Sequence, residues 1–358
     1  MKKKFFYLVL FSLPILGCAQ TKLIPFNSSN IYYEGRMLYK PEAAVFNWSG
    51  NSATIIIDGT EISAVMKDLD TANYYNVIVD DSVIAKFHTD TVKKSYVLVS
   101  GLKAGKHKVQ IFKRTEWDKG KTLFYGFETN SNTKVLPPLP PKKRKIEFYG
   151  NSITCGYANE DFTNQDRWFG YFQNNYLTYA AMTARHFDAQ YSCVGKSGIG
   201  IVISWFPLLM PEMYNRLDPT DSTSVWDFSK YTPDIVVINL LQNDSWLTNR
   251  PDHEQFKYRF GTKKPEVSFV IEAYKNFVSS IRKVYPNAHI ICALGSMDAT
   301  REGSPWPGYI ETAVKQLADP KVYTCFFPYK NTGGHPKVSE HKVMANQLID
   351  FIDKNIKW

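Results

Sequence analysis

Lys145-Ile146-Glu147-Phe148-Tyr149-Gly150-Asn151-Ser152-Ile153-Thr154-Cys155-Gly156 is the stretch whose reading decides the fold. A short β-prone run ends in Gly150, and a serine follows two residues later in a glycine-flanked turn. A hydroxyl so placed stands at the carboxyl end of a strand, where open α/β sheets bind their ligands. With a histidine in reach and amides facing an oxyanion, such a serine is a nucleophile. Without them it is a helix cap.

Downstream of this turn, strand and helix patterns alternate. The sequence predicts a helix over residues 171–187 and a strand over 190–194. Asp234 to Leu240 is a continuous apolar run after Pro233, the pattern of a parallel strand covered on both faces. Val270, Tyr274, Phe277, Ile281 and Val284 recur at helical spacing up to Pro286. His289 to Leu294 and Val322 to Phe327 read as further strands. A last helix is expected from about Pro336 to Asp353, with Val343, Met344, Leu348, Phe351 and Ile352 facing inward. This alternation predicts a mostly parallel sheet between two helical layers over residues 145–358.

Upstream the pattern is different. Residues 20–135 read as short strands with period-two alternation, such as Ile62, Ala64 and Met66 against Glu61, Ser63 and Lys67. Asp58-Gly59, Asp80-Asp81 and Ser100-Gly101 punctuate them as turns. An all-β jelly roll or sandwich is expected there. Leu136-Pro137-Pro138-Leu139-Pro140-Pro141 is a stiff, extended connector, so a linker is placed at 136–144.

The 358 residues are 44% hydrophobic and 15% aromatic, which provides for packed cores and excludes a disordered chain. Lys2, Lys3 and Lys4 precede the apolar run Phe5 to Leu16, so residues 1–19 read as an export signal, too short to span a bilayer. Ile15-Leu16-Gly17-Cys18 resembles a bacterial lipobox, which would leave a lipid on Cys18; Gly17-Cys18-Ala19 also fits ordinary cleavage. Either reading predicts an exported bacterial protein, whether periplasmic, anchored in the outer membrane or secreted. In that setting the basic run Lys142 to Lys145 reads as a solvated linker end, not a nucleic-acid site. Cys155, Cys193, Cys292 and Cys325 are too few for a disulfide scaffold and fit buried thiols or bridges equally. No Cys/His spacing resembles a zinc site.

Of the seven histidines, His335 stands apart. It follows Thr332-Gly333-Gly334 after the last strand and precedes Pro336, on the same sheet edge as Ser152. It is the candidate base, with His341 the weaker alternative. Asn243, after the central apolar strand, can donate to an oxyanion without titrating. Gly198, after the second strand, lets a backbone N–H approach a ligand. Trp168, Trp205, Trp246 and Trp306 fall in loops or strand ends and are candidate sugar platforms or packing residues. Trp246, Trp306 and Trp205 are the ones assigned to substrate, with Trp246 foremost.

Gly150-Asn151-Ser152-Ile153-Thr154, the Gly198 segment, Asn243-Asp244 and His335-Pro336 resemble the four blocks of the SGNH (GDSL-like) hydrolase superfamily. Asn47-Trp48-Ser49-Gly50, Asn73-Tyr74-Tyr75 and Lys113-Arg114-Thr115-Glu116 are similar to the N-terminal domain of carbohydrate esterase family 2. The resemblance implies an esterase that deacetylates hemicellulose-type polysaccharides or oligosaccharides, and it implies no metal or organic cofactor; a monomer is the separate expectation. It implies Ser152 as nucleophile, His335 as base, and an oxyanion hole of the Ser152 and Gly198 amides with the Asn243 side chain. A lipid or thioester hydrolase of the same fold, and a catalytically inactive carbohydrate-binding protein, are the alternatives.

Three departures from the superfamily pattern stand out. Asn151 replaces the usual aspartate, Leu241 replaces a glycine, and no acid directly precedes His335. The expectation is therefore a Ser–His dyad whose ring is held by a backbone carbonyl. An acid from elsewhere, such as Glu160 or Asp298, is the alternative.

Overall fold

The computed structural model describes residues 21–358. The expected export segment 1–19, with Cys18, lies outside the described residues. Two antiparallel sheets of six strands each form the N-terminal unit. The aliphatic residues of the alternating strands meet between the sheets: Ile55, Ile57, Ala64, Met66, Val77, Val109 and Ile111 are buried with Phe124 and Phe127. The Asp80-Asp81 turn joins Tyr74–Val79 to Ser82–His88, with both aspartates at positive φ, as a two-residue hairpin requires. Asp58-Gly59 behaves differently. The strands it separates, Ser52–Asp58 and Ile62–Asp68, belong to opposite sheets, so the chain crosses the sandwich there.

Lys134–Leu136 still pairs with Ser52–Asp58, and residues 137–143 then run without helix or strand into the second unit. There five strands lie parallel: β1 (Arg144–Gly150), β2 (Ala189–Gly195), β3 (Ile235–Asn239), β4 (His289–Leu294) and β5 (Val322–Phe326). Their order across the sheet is 2-1-3-4-5. Alternate residues of β3 serve the two faces. Val236 and Ile238 pack with α4 (Val267–Val284) and α5 (Trp306–Leu317). Ile235 and Val237 join α2 (Tyr179–His186) and α6 (Val338–Asn355). That double burial is the reason the run reads as uniformly apolar.

The expected helix over 171–187 is shorter than its composition suggests. It starts at Tyr179, where the Thr178 side chain caps it by accepting from the Ala181 amide. The preceding Gln173, Asn174 and Asn175 are buried, and their polar groups bond to loops and to the β unit. Val343, expected to face inward, is 56% exposed, while His341, Met344, Ala345, Leu348 and Ile352 form the inner face of α6. All four described cysteines are free and buried.

The two units share charged contacts that neither could leave unpaired. Arg36 of the β unit and Glu147 of β1 are 1% and 0% exposed at their side chains, 3.2 Å apart. Tyr149, Tyr285 and Ser192 also donate to that carboxylate. Removing one partner strands a buried charge, so Arg36→Ala should cost about 3–5 kcal/mol. Chemical denaturation will measure this; a loss under 1 kcal/mol would show that the pair does not join the units.

Candidate active site

In the order 2-1-3-4-5 the connections leave in opposite directions between β1 and β3, which makes their carboxyl ends the switch point of the sheet. Ser152 follows β1. Gly150 is obligatory before it, because a Cβ there would stand 2.0 Å from Thr154 Oγ1. Asn151 caps the short helix α1 (Ser152–Cys155), its Oδ1 accepting from the Ile153 amide at 3.0 Å. Gly156 closes it in the left-handed conformation. The Ser152 hydroxyl is thus pinned at a helix start, 6% exposed.

His335 arrives from the loop after β5. Its Nε2 lies 2.9 Å from Ser152 Oγ. Its Nδ1 lies 2.6 Å from Asp166 Oδ2, and its backbone N–H donates to the same oxygen at 2.7 Å. A carboxylate only accepts, so Nδ1 carries the proton and Nε2 presents its lone pair to the serine O–H. The expected carbonyl-held dyad is therefore corrected: a carboxylate holds the ring. Neither acid named as the alternative supplies it. Glu160 pairs with Arg114 and accepts from Asn174, and Asp298 accepts from the Trp246 indole and Gln242.

Asp166 lies in the loop between α1 and α2, at φ +51°, a conformation aspartate tolerates. Asp161 shapes that loop by accepting from Thr163 and from the backbone and guanidinium of Arg167. Lys337 Nζ grips the other oxygen of Asp166 at 2.9 Å. The Tyr157 ring lies 4.8 Å from the imidazole, between centroids. No spacing or periodicity in the sequence points to this carboxylate, and its trace is visible only in the structure. Gly334 is at φ +65°, and a Cβ on it would stand 2.6 Å from Asp166 Oδ1, so the glycine makes room for the acid.

The loop after β2 carries Gly198, whose amide is expected to face an oxyanion. Gly198 sits at φ +83° in the turn closed by the Ile199 amide on Lys196 O. Among the described residues its own N–H has no hydrogen-bond acceptor, and neither has that of Ser152. Asp244 fixes the rest of the loop, one oxygen accepting from the amides of Ile201, Val202 and Ile203. Burial pushes Asp244 up to about 6, even though those amides favour its charge. Asn243, in α3 (Gln242–Leu247), donates one Nδ2 proton to Ile199 O at 2.8 Å, and its Oδ1 accepts from the Trp205 indole at 3.1 Å. The second amide proton remains free for a ligand. Leu241, in the place of a glycine, adopts the glycine's conformation at φ +77°.

The tryptophans divide. Trp205 is 36% exposed and its atoms come within 3.4 Å of a Cβ built on Gly198, so it walls the Gly198 turn. Trp246 is half-buried, its indole tied to Asp298. Trp306 is 8% exposed inside the hydrophobic core against Tyr309, so its assignment to substrate is withdrawn in favour of packing. His341 is fully buried, accepts from the Tyr179 amide, and is pushed down to about 3 by burial, which leaves it neutral. No group of three or more metal-binding side chains occurs among the described residues.

Fold and site together define a carboxylic ester hydrolase of the GDSL-like class. A model of the GDSL-like lipase/acylhydrolase family matches residues 148–322, and a model of the carbohydrate esterase 2 N-terminal domain matches 33–140. The chain belongs to carbohydrate esterase family 2. It is 34% identical over 346 residues to the cellulase/esterase CelE of Acetivibrio thermocellus, covering 93% of this chain and spanning 40% of CelE's length. An acetylxylan esterase/glucomannan deacetylase of Cellvibrio japonicus is 26% identical over 95% of this chain and 93% of its own. The solved family two carbohydrate esterase of Clostridium thermocellum, in complex with cellohexaose, superposes with a TM-score of 0.81. It is 34% identical, over 90% of this chain and 98% of that one.

Partial burial would raise the Asp166 carboxyl, but hydrogen bonds from His335 and Lys337 outweigh it and hold the group well below the usual carboxylate range. The unfolded chain therefore takes up this proton at a higher pH than the native one. Asp166 contributes its full stability above about pH 4 and loses it as pH falls further, through the native value. The stability gap between wild type and Asp166→Asn, measured by denaturation, should narrow as pH falls below 4. A gap that goes on widening below pH 4 would contradict this.

Proposed function

We propose that this chain is an exported carbohydrate acetyl esterase that removes O-acetyl groups from hemicellulose-type polysaccharides or oligosaccharides. The observation that carries the reading is the continuous hydrogen-bonded run Ser152–His335–Asp166 beside free amide donors. The Ser152 oxygen attacks the acetyl carbonyl while Nε2 of His335 takes the hydroxyl proton. The carbonyl oxygen becomes an oxyanion, facing the Ser152 and Gly198 amides and the free proton of Asn243. Collapse expels the sugar hydroxyl, which receives the proton from His335. Water, deprotonated by the same imidazole, then attacks the acetyl-serine and releases acetate. Asp166 holds the tautomer throughout and stabilises the imidazolium between steps.

Two features support a small acyl group and a sugar. Trp205 and Phe206 fill the space beside Gly198, which argues against a long acyl channel on that side. Trp205 also offers a partly exposed aromatic face at the mouth, where a pyranose ring can stack. The names of the family relatives, which include acetylxylan esterase and glucomannan deacetylase, agree in substrate class. The basic and apolar opening of the sequence supports export, and Cys18 the site of a lipid if one is attached.

Steady-state assays on 4-nitrophenyl esters, then on acetylated xylan and glucomannan, test the reading. Acetate should be turned over far faster than hexanoate or longer esters, and Ser152→Ala should abolish turnover. Asp166→Asn should lower kcat roughly 10⁴-fold, as loss of the orienting carboxylate does in serine hydrolases. Equal rates on long acyl chains would sink the acetyl assignment, and an active Ser152→Ala would sink the mechanism.

A further inference from the structure

The mechanism uses residues of the second unit alone, yet one buried carboxylate of the β unit reaches the same loop. Glu116 is 1% exposed. Its Oε2 accepts from the Ser197 backbone N–H at 2.6 Å, and its Oε1 from the Ser197 hydroxyl. Ser197 immediately precedes Gly198. The peptide on the other side of Gly198 is held as well, since its carbonyl accepts from the Trp205 amide at 3.1 Å. The Gly198 N–H therefore hangs between two fixed points, one of which belongs to the other domain. Glu116 is itself anchored: its carbonyl accepts from Lys113 Nζ at 3.1 Å and from the Lys119 amide. Beside it, Lys196 Nζ lies 4.2 Å from the centroid of the Trp117 ring and 4.6 Å from that of Phe206, clamping the turn from a second direction.

We infer that Glu116 is a positioning residue for ester hydrolysis, through which the β-sandwich sets the aim of the Gly198 oxyanion donor. The inference rests on the reading of Gly198 as such a donor. The local bond from the Ile199 amide to Lys196 O closes the turn but leaves the Ser197–Gly198 peptide free to face either way, since glycine accepts both signs of φ, so the choice of orientation comes from the neighbours. Burial pushes the Glu116 carboxyl up to about 7, with Asp118 adding to the rise and Lys196 opposing it. Both protonation states can hold Ser197. The carboxylate accepts twice; the neutral acid accepts from the amide and donates to the hydroxyl. A glutamine can do the same, and an alanine can do neither.

That difference makes the test. Losing one oxyanion donor costs about 10²–10³ in kcat, so a misaimed one should cost about 10–100-fold. In assays on 4-nitrophenyl acetate, Glu116→Ala should show that drop in kcat with KM within threefold, and Glu116→Gln should return to within threefold of wild type. Amide hydrogen exchange over residues 196–199 should quicken in the alanine variant and stay slow in the glutamine one. Should Glu116→Ala fail to fold, Ser197→Ala removes one of the two bonds and should lower kcat several-fold with KM unchanged. An unaltered kcat in the alanine variants, a loss that appears in KM instead, or a glutamine variant as impaired as alanine would overturn the inference. If the wild type itself leaves the acetyl ester intact, the functional reading fails separately. Exchange then still decides this one, and unchanged protection in Glu116→Ala refutes it.

Discussion

Everything at this site depends on five strands being hydrogen-bonded in parallel. Parallel pairing puts every carboxyl end on one edge of the sheet, so the loops after β1, β2, β3 and β5 open onto a single rim. Ser152, Gly198, Asn243 and His335 each follow one of those strands. Residues far apart along the chain become neighbours without any long excursion of the backbone. An antiparallel partner anywhere among these strands would send one of the four to the opposite edge. The buried sheet is thus what makes a 2.9 Å contact between Ser152 and His335 affordable.

The parts of the site that lie on this rim were legible because strand ends announce themselves. Gly150, Gly198 and the Gly333-Gly334 pair mark places where the backbone turns sharply or is closely approached, and each sits beside a functional group. Asp166 was not legible for the complementary reason. It belongs to a polar loop between two helices, where no hydrophobic period places a residue relative to the sheet. Only the lack of room around Gly334 betrays the acid, and that needs coordinates to be seen. The misjudged helix over 171–187 has a related cause. Its apolar and aromatic residues are real, but those before Thr178 pack in short turns between the domains while asparagines satisfy the backbone.

The departures from the superfamily pattern turn out to conserve geometry while exchanging chemistry. A helix cap needs an acceptor oxygen, and the amide of Asn151 provides one as an aspartate would. Leu241 keeps the left-handed backbone of a glycine, at a cost of about 1–2 kcal/mol. Its side chain is completely buried beside Leu240 and Leu247, which returns about 1.5–3 kcal/mol. The two roughly balance, so the loop can hold Asn243 in place with either residue. The missing acid before His335 follows the same logic. The imidazole requires a carboxylate on Nδ1, not one from a particular stretch of chain, and Lys337 makes Asp166 a stable donor of that charge.

Polar satisfaction also explains why the two domains behave as one body. Glu147 lies at the centre of the catalytic sheet, where an isolated carboxylate would be expensive, and Arg36 of the sandwich neutralises it. Arg114 of the sandwich does the same for Glu160, in the segment that leads into the Asp166 loop. The dependence runs in both directions, since Arg36 and Arg114 are buried in the folded chain and would lack a charge partner there without Glu147 and Glu160. Pairs of this kind contribute little net stability compared with apolar packing, but they penalise any docking that buries one charge without the other. Their effect is to hold the domains in one relative position, and a carboxylate reaching across that fixed boundary can then meet a loop of the active site with ångström accuracy.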